Sequence, residues 1–178
     1  MAIRVTNVYK EHFPALRFIG RCYTNDDRFE GGFGKQWDEW MENGRFEAMR
    51  QAVGISPFSG DMLGLMTLSG DMTKFTYWIG LFYPAGTEVP EGYDSIDLPE
   101  SNIGVGWVCG REENGEIYGD AHGAVCEKLE QEGIGQFRND ILGKDSDTYC
   151  FFERYNSLRF NEKDENGNVT LDYGNYII

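Results

Sequence analysis

The chain has 178 residues, the length of a single domain or of two half-size lobes around one core. At that size roughly 70% of the unfolded surface can be buried without a disulfide or metal staple. Asp and Glu number 30 against 16 Lys and Arg, a net charge of -14, which argues against tracking nucleic-acid phosphates or docking on anionic membranes.

With 40% apolar and 15% aromatic residues, the composition is that of a folded domain. No run approaches the ~18 apolar residues of a membrane span, and the N-terminus (MAIRVTNVYKEHF) has no signal-peptide core. Cys22, Cys109, Cys126 and Cys150 are scattered, with no C-x-x-C spacing. They read as buried or half-buried thiols of a cytoplasmic protein.

In chain order, a strand is expected over Ile3 to Tyr9 and a second over Ala15 to Tyr23, followed by a polar, Gly-rich connection. Phe33, Trp37, Trp40, Met41 and Gly44 recur at i, i+4, i+7, i+8 and i+11, one apolar stripe of a helix that Gly44 breaks. Phe46, Met49 and Val53 carry a shorter helix. Met62 to Leu68 and Phe75 to Tyr83 flank the turn Ser69-Gly70-Asp71 and predict a hairpin. The proline-rich stretch from Pro84 to Pro99 is a midpoint linker in which Ser95 to Leu98 adds a short strand.

The second half repeats the first. A strand over Ile103 to Cys109 precedes a helix marked by Tyr118, Ala121, Val125 and Leu129 that stops near Gly133. Strands over Tyr149 to Tyr155 and Val169 to Ile177 follow, the second entered through the Asn-Gly turn at Asn166-Gly167. The expected fold class is α+β. One domain over residues 1–178 would contain two pseudo-symmetric strand-helix-strand-strand units, about 1–84 and 95–178, with antiparallel sheets and a ligand cleft between them.

Glu153 is the most informative position. Strand alternation places Tyr149, Phe151, Glu153 and Tyr155 on one face, and a carboxylate among rings is costly to bury unless paired, protonated or waiting for a cation. Two readings stand. Glu153 pairs with Arg17 or Arg154, or it lies at the floor of an aromatic crevice that attracts a lipophilic cation. Tyr77, Trp107 and Tyr173 are candidate crevice walls, whereas Trp37 and Trp40 lie on the helix stripe and read as packing residues.

Other signals fail. Gly31-Gly32-Phe33-Gly34-Lys35 lacks phosphate-loop spacing and reads as a helix entry. Asp164 to Asn168 starts like a calcium loop but lacks its later ligands. His12 and His122 have no carboxylate or cysteine cluster in the sequence, so no metal and no cofactor are expected. No Ser or Cys stands in a nucleophile-elbow context.

Four segments carry a resemblance. They are Pro14 to Gly20 (PALRFIG); GFGKQWDEW from Gly32 to Trp40 with NGRFE from Asn43 to Glu47; Tyr77 to Gly80 (YWIG) with PAGTEVPEGY from Pro84 to Tyr93; and Phe152 to Asn156 (FERYN) with Asp172-Tyr173. In this order they resemble the GyrI-like small-molecule-binding domain, also called the AraC-type or BmrR-type effector-binding domain. The resemblance implies two strand-helix-strand-strand units about a pseudo-twofold axis with a ligand cleft between them. In multidrug-sensing members a glutamate on a late strand meets cationic lipophilic compounds among aromatics. By motif position that residue is Glu153, with Phe151, Tyr155, Tyr77, Trp107 and Tyr173 as companion ligand-binding candidates.

Many relatives carry this domain behind a DNA-binding helix-turn-helix. Here the resemblance starts almost at Met1, so the expectation is a stand-alone bacterial binder or an effector domain cut from a longer transcription regulator. Its partners would be an aromatic or cationic small molecule and a protein carrying the DNA-binding half, with no direct nucleic-acid contact. Two alternatives remain at this stage. One is a hydrolase of cyclopropane-bearing toxins, as some stand-alone relatives resemble, with Glu153 as general base and a tyrosine as acid. The other is an interaction module whose acidic surface meets a basic protein.

Overall fold

A computed structural model describes residues 3–58 and 60–178. Its strands are β1 (Arg4–Phe13), β2 (Leu16–Thr24), β3 (Met62–Ser69), β4 (Phe75–Pro84), β5 (Asp94–Leu98), β6 (Ser101–Gly110), β7 (Thr148–Tyr155) and β8 (Val169–Ile177). The helices are α1 (Gly34–Glu42), α2 (Arg45–Val53), α3 (Ala121–Gln131) and the single turn α4 (Ser157–Phe160).

The strands form one eight-stranded sheet in the order β1-β6-β8-β7-β3-β4-β2-β5, with every neighbour antiparallel. This α+β architecture is the expected class. The separate sheets anticipated for the two halves are joined at the centre, where β3 and β7 pair from Met62↔Tyr155 to Ser69↔Thr148. Outward from that junction run β3, β4, β2 and β5 on one side and β7, β8, β6 and β1 on the other.

The connections dictate the curvature. Only Pro14 and Ala15 separate β1 from β2, and only Pro99 and Glu100 separate β5 from β6, yet both pairs lie at opposite ends of the sheet order. Three Cα–Cα steps of ~3.8 Å cannot cross a flat sheet of this width. The sheet therefore curls until its ends approach. Phe13, closing β1, packs against Phe82 of β4 at 5.6 Å and Phe152 of β7 at 5.8 Å.

Both faces are consequently buried. Inside the curl lie Phe18, Leu63, Leu65, Val105, Phe152 and Tyr176. On the outer face α1 and α2 cover Ile19, Ile79 and Leu81 with Trp40, Phe46 and Met49, while α3 covers Val108, Leu171 and Tyr173 with Val125 and Leu129. Seven consecutive buried residues in β4, Tyr77 to Tyr83, follow from this two-sided covering and explain the absence of clean alternation there.

Gly44 divides α1 from α2 as the spacing predicts, taking the left-handed conformation with φ 62°. Two local expectations are corrected. Tyr118 precedes α3 rather than belonging to it, because Gly119 intervenes and Asp120 stands at the N-cap. Helix α4 was not anticipated; the Asn156 side chain accepts from the Leu158 amide and starts it immediately after β7.

Candidate ligand-binding site

Alternation along β7 sends Phe151, Glu153 and Tyr155 to the helix-bearing face and Cys150, Phe152 and Arg154 into the curl. Across the sheet Glu153 is paired with Gly64 of β3 and Tyr173 of β8. Gly64 is what makes room for the site. A Cβ there would lie 2.5 Å from the Tyr77 hydroxyl and 2.9 Å from Glu153 Oε2. Without it, the two groups meet directly above the strand.

Tyr77 and Tyr155 both donate to Glu153 Oε2, at 3.0 and 2.8 Å. Trp37 of α1 donates its Nε1–H to the Tyr77 hydroxyl at 2.8 Å. Phe33 stacks on Tyr77 at 4.4 Å with an interplanar angle of 5°, and Tyr155 lies between Trp37 at 4.8 Å and the edge-on ring of Phe160 at 4.8 Å. Around this arrangement opens a cleft of about 740 Å³, walled by these rings and by Tyr118, with Met41, Met62 and Met66 filling between them. Its charged lining is Arg28, Asp38, Glu112 and Glu153.

Burial pushes the Glu153 carboxyl above its ordinary value, outweighing the two tyrosine hydrogen bonds that favour the ionised form. Burial, reinforced by Glu153, also drives Tyr77 and Tyr155 well above the usual phenol range, so both remain donors at neutral pH. Neither arginine expected as a partner reaches Glu153. Arg17 binds Asp97 at 2.7 Å, and Arg154, carried to the opposite face by alternation, binds Asp172 at 3.0 Å and Glu11 at 3.2 Å. The pairing reading is corrected: among the described residues Glu153 has tyrosine donors and no basic partner.

The remaining sequence candidates separate. Tyr77, Glu153 and Tyr155 come together in the cleft. Phe151 lies on the same strand face but is covered by His122, whose ring stacks on it at 4.0 Å and 12°. Tyr173 is buried beside Glu153, its hydroxyl donating to the Ile117 carbonyl at 2.7 Å. Trp107 lies on the other face of the sheet, edge-on to Tyr9 at 6.0 Å with the Arg159 guanidinium 4.3 Å from its ring centre. The reason is α3, which packs against the Gly104, Gly106 and Val108 side of β6 and leaves Trp107 to the inside of the curl.

Trp40 is core, 1% exposed, as the helix stripe implies. Trp37, read with it as packing, is instead part of the cleft network. The Gly31–Lys35 segment is the entry to α1, and Phe33 within it walls the cleft. His122 does have a cysteine neighbour, Cys126 at 3.5 Å, and its Nε2 lies 2.7 Å from Asn175 Oδ1. Among the described residues no three His, Cys, Asp or Glu side chains group to hold a metal. The helices among those residues include none long and apolar enough to cross a membrane.

No protein-family model matches the sequence, and neither does any curated protein. Solved structures do match. A protein described as a candidate bacterial transcription regulation protein, from Staphylococcus aureus MU50, is 17% identical with a TM-score of 0.61, over 96% of this chain and 97% of its own. SAV2435, solved bound to tetraphenylphosphonium, is 16% identical with a TM-score of 0.56, over 97% and 94%. At these identities the likeness is one of fold.

Proposed function

We propose that this chain is a transcription-regulator-like effector-binding domain of the GyrI-like kind. Its halves, about 1–84 and 95–178, are read as related repeats of one domain, and its ligand as a lipophilic aromatic cation. The observation that carries the reading is Glu153: a half-buried carboxylate with no basic partner among the described residues, held by two tyrosine hydroxyls at the floor of a ring-walled cleft. A cation entering the cleft would supply the missing counter-charge where water is scarce. The rings would add ~0.5–2 kcal/mol of cation–π attraction each and apolar area besides. Three methionines give walls that can repack around ligands of different shape. Tetraphenylphosphonium in the similarly folded SAV2435 is the kind of compound this chemistry suits.

Tyr77 and Tyr155 orient the carboxylate in this reading, Phe151 and Tyr173 flank it on the same sheet face, and Trp107 takes no part. The hydrolase reading has less support. A tyrosine acid works best with a lowered pKa, whereas burial raises both phenols here.

Calorimetry with tetraphenylphosphonium and neutral triphenylphosphine oxide tests the proposal. Glu153→Gln is expected to weaken the cation at least ~10-fold, about 1.4 kcal/mol, and the neutral compound much less. Equal losses for both would contradict it.

A further inference from the structure

We propose that the ligand carries an acidic group as well as a cationic centre, and that Arg28 receives the acid. The inference rests on the reading of Glu153 just given. Arg28 lines the same cleft and is its basic residue. Its Nε donates to Asn25 Oδ1 at 2.9 Å and its Nη1 to the Gly31 carbonyl at 3.0 Å, so the guanidinium is fixed from behind. Its plane carbon lies 4.7 Å from the ring centre of Phe33 and 5.1 Å from that of Phe75.

Phe33 in turn stacks on Tyr77, whose hydroxyl donates to Glu153. Guanidinium, phenyl, phenol and carboxylate thus form one column, with opposite charges at its two ends and aromatic surface between.

In a chain with 30 acids and 16 bases, Arg17, Arg21, Arg50, Arg138, Arg154 and Arg159 each pair with a carboxylate. Among the described residues Arg4, Arg28, Arg45 and Arg111 make no ion pair, and of these Arg28 is the one that lines the cleft. The Arg28 Nη2 donates no hydrogen bond among those residues. The free Nη2, with the second Nη1 hydrogen beside it, can meet the two oxygens of a carboxylate end-on at the cleft wall. The other lining charges, Asp38 and Glu112, are acidic, and Glu112 keeps company with Tyr118. They repel an anion from the rest of the rim, which leaves Arg28 as the place where one is accepted. A purely cationic ligand would find Arg28 a like charge.

Rhodamine 6G, a cationic ethyl ester, and the free acid obtained by hydrolysing that ester are a matched pair of probes for fluorescence anisotropy. The wild-type protein is expected to bind the acid about fivefold tighter than the ester, the scale of an exposed ion pair. Arg28→Gln should weaken the acid and leave the ester unchanged or slightly tighter, while Arg28→Lys should keep part of the preference. Equal or tighter binding of the ester by wild type, or equal weakening of both dyes by Arg28→Gln, would overturn the proposal. Tetraphenylphosphonium separates the two levels. If it binds and the acid is not preferred, only the role of Arg28 fails; if neither it nor the dyes bind, the reading of Glu153 fails and this inference with it.

Discussion

Gly64 and Glu153 face each other across β3 and β7, and their pairing is the smallest unit on which the site depends. Gly64→Ala would place a methyl group against the Tyr77 hydroxyl and Glu153 Oε2, separating donor from acceptor. The expected outcome is a folded protein with at least ~10-fold weaker tetraphenylphosphonium binding, read by calorimetry beside a thermal melt. Unchanged binding would mean that the hydroxyl–carboxylate contact is dispensable. The sign of the pH effect on stability follows from the same residue. Its carboxyl is raised in the folded protein, so between the ordinary glutamate range, about 4.3, and its own higher value the native state holds more protons than the unfolded one. Stability contributed by Glu153 is therefore full below the ordinary value and is lost as pH rises through the raised one. Glu153→Gln, which cannot ionise, should flatten that decline in denaturant midpoint. A Glu153→Gln protein less stable than wild type at neutral pH by as much as at pH 4 would oppose this assignment.

Residue identity made Glu153 visible in the sequence, because a carboxylate flanked by rings in a strand pattern has few inexpensive explanations. Its tyrosine neighbours were half visible. Tyr155 shares its strand face by simple alternation, whereas Tyr77 arrives through β3–β4 register, and the space for it is left by a glycine that no local pattern marks as part of a site.

At the level of elements, α1 and α4 close the cleft from opposite sides. The sequence placed Trp37 and Trp40 on one stripe, and both do face inward. They diverge because Trp40 meets Phe46 of α2 at 4.8 Å, while Trp37 reaches Tyr77 and Tyr155 on the sheet face below α1. Trp37 should therefore carry the fluorescence response to a ligand. Trp37→Phe is expected to abolish ligand-induced quenching, and Trp107→Phe, on the far face, to leave it intact; the reverse result would misplace the cleft.

Helix α4 is set by ion pairs that sequence reading could not anticipate. Arg159 binds Asp172 Oδ1 at 2.9 Å, Arg154 binds the same fully buried carboxylate, and the next residue along, Phe160, presents its edge to Tyr155. Asp172→Ala would leave two arginines facing a vacated partner and should cost ~3–5 kcal/mol in urea unfolding. A loss below about 1 kcal/mol would mean that the triad adds little to holding α4.

The whole molecule is governed by its two short proline-bearing connections. They were plain in the sequence as breaks between strands, and most of the strands and helices on either side of them were legible too. Their consequence was not. Pairing β1 with β6 and β5 with β2 exchanges the outer strands between the halves, and only the three-dimensional pairing reveals that the ends of one continuous sheet must approach. The same curl buries both faces, and this misassigned Trp107: with apolar residues on either side of β6, nothing in its composition distinguishes inside from outside.

The curled sheet holds a carboxylate with no basic partner among the described residues, and its protonation should be coupled to ligand. A bound cation favours the ionised form, so the affinity for tetraphenylphosphonium should rise with pH until the raised pKa of free Glu153 is passed, by up to tenfold per unit, and then level. Calorimetric titration of the wild-type protein from about pH 5 to 8, in buffers of different ionisation enthalpy, measures affinity and proton release together. The account predicts stronger binding towards high pH, with up to one proton released in the lower part of the range and none in Glu153→Gln. Binding that is independent of pH, or a proton release that survives in Glu153→Gln, would contradict it.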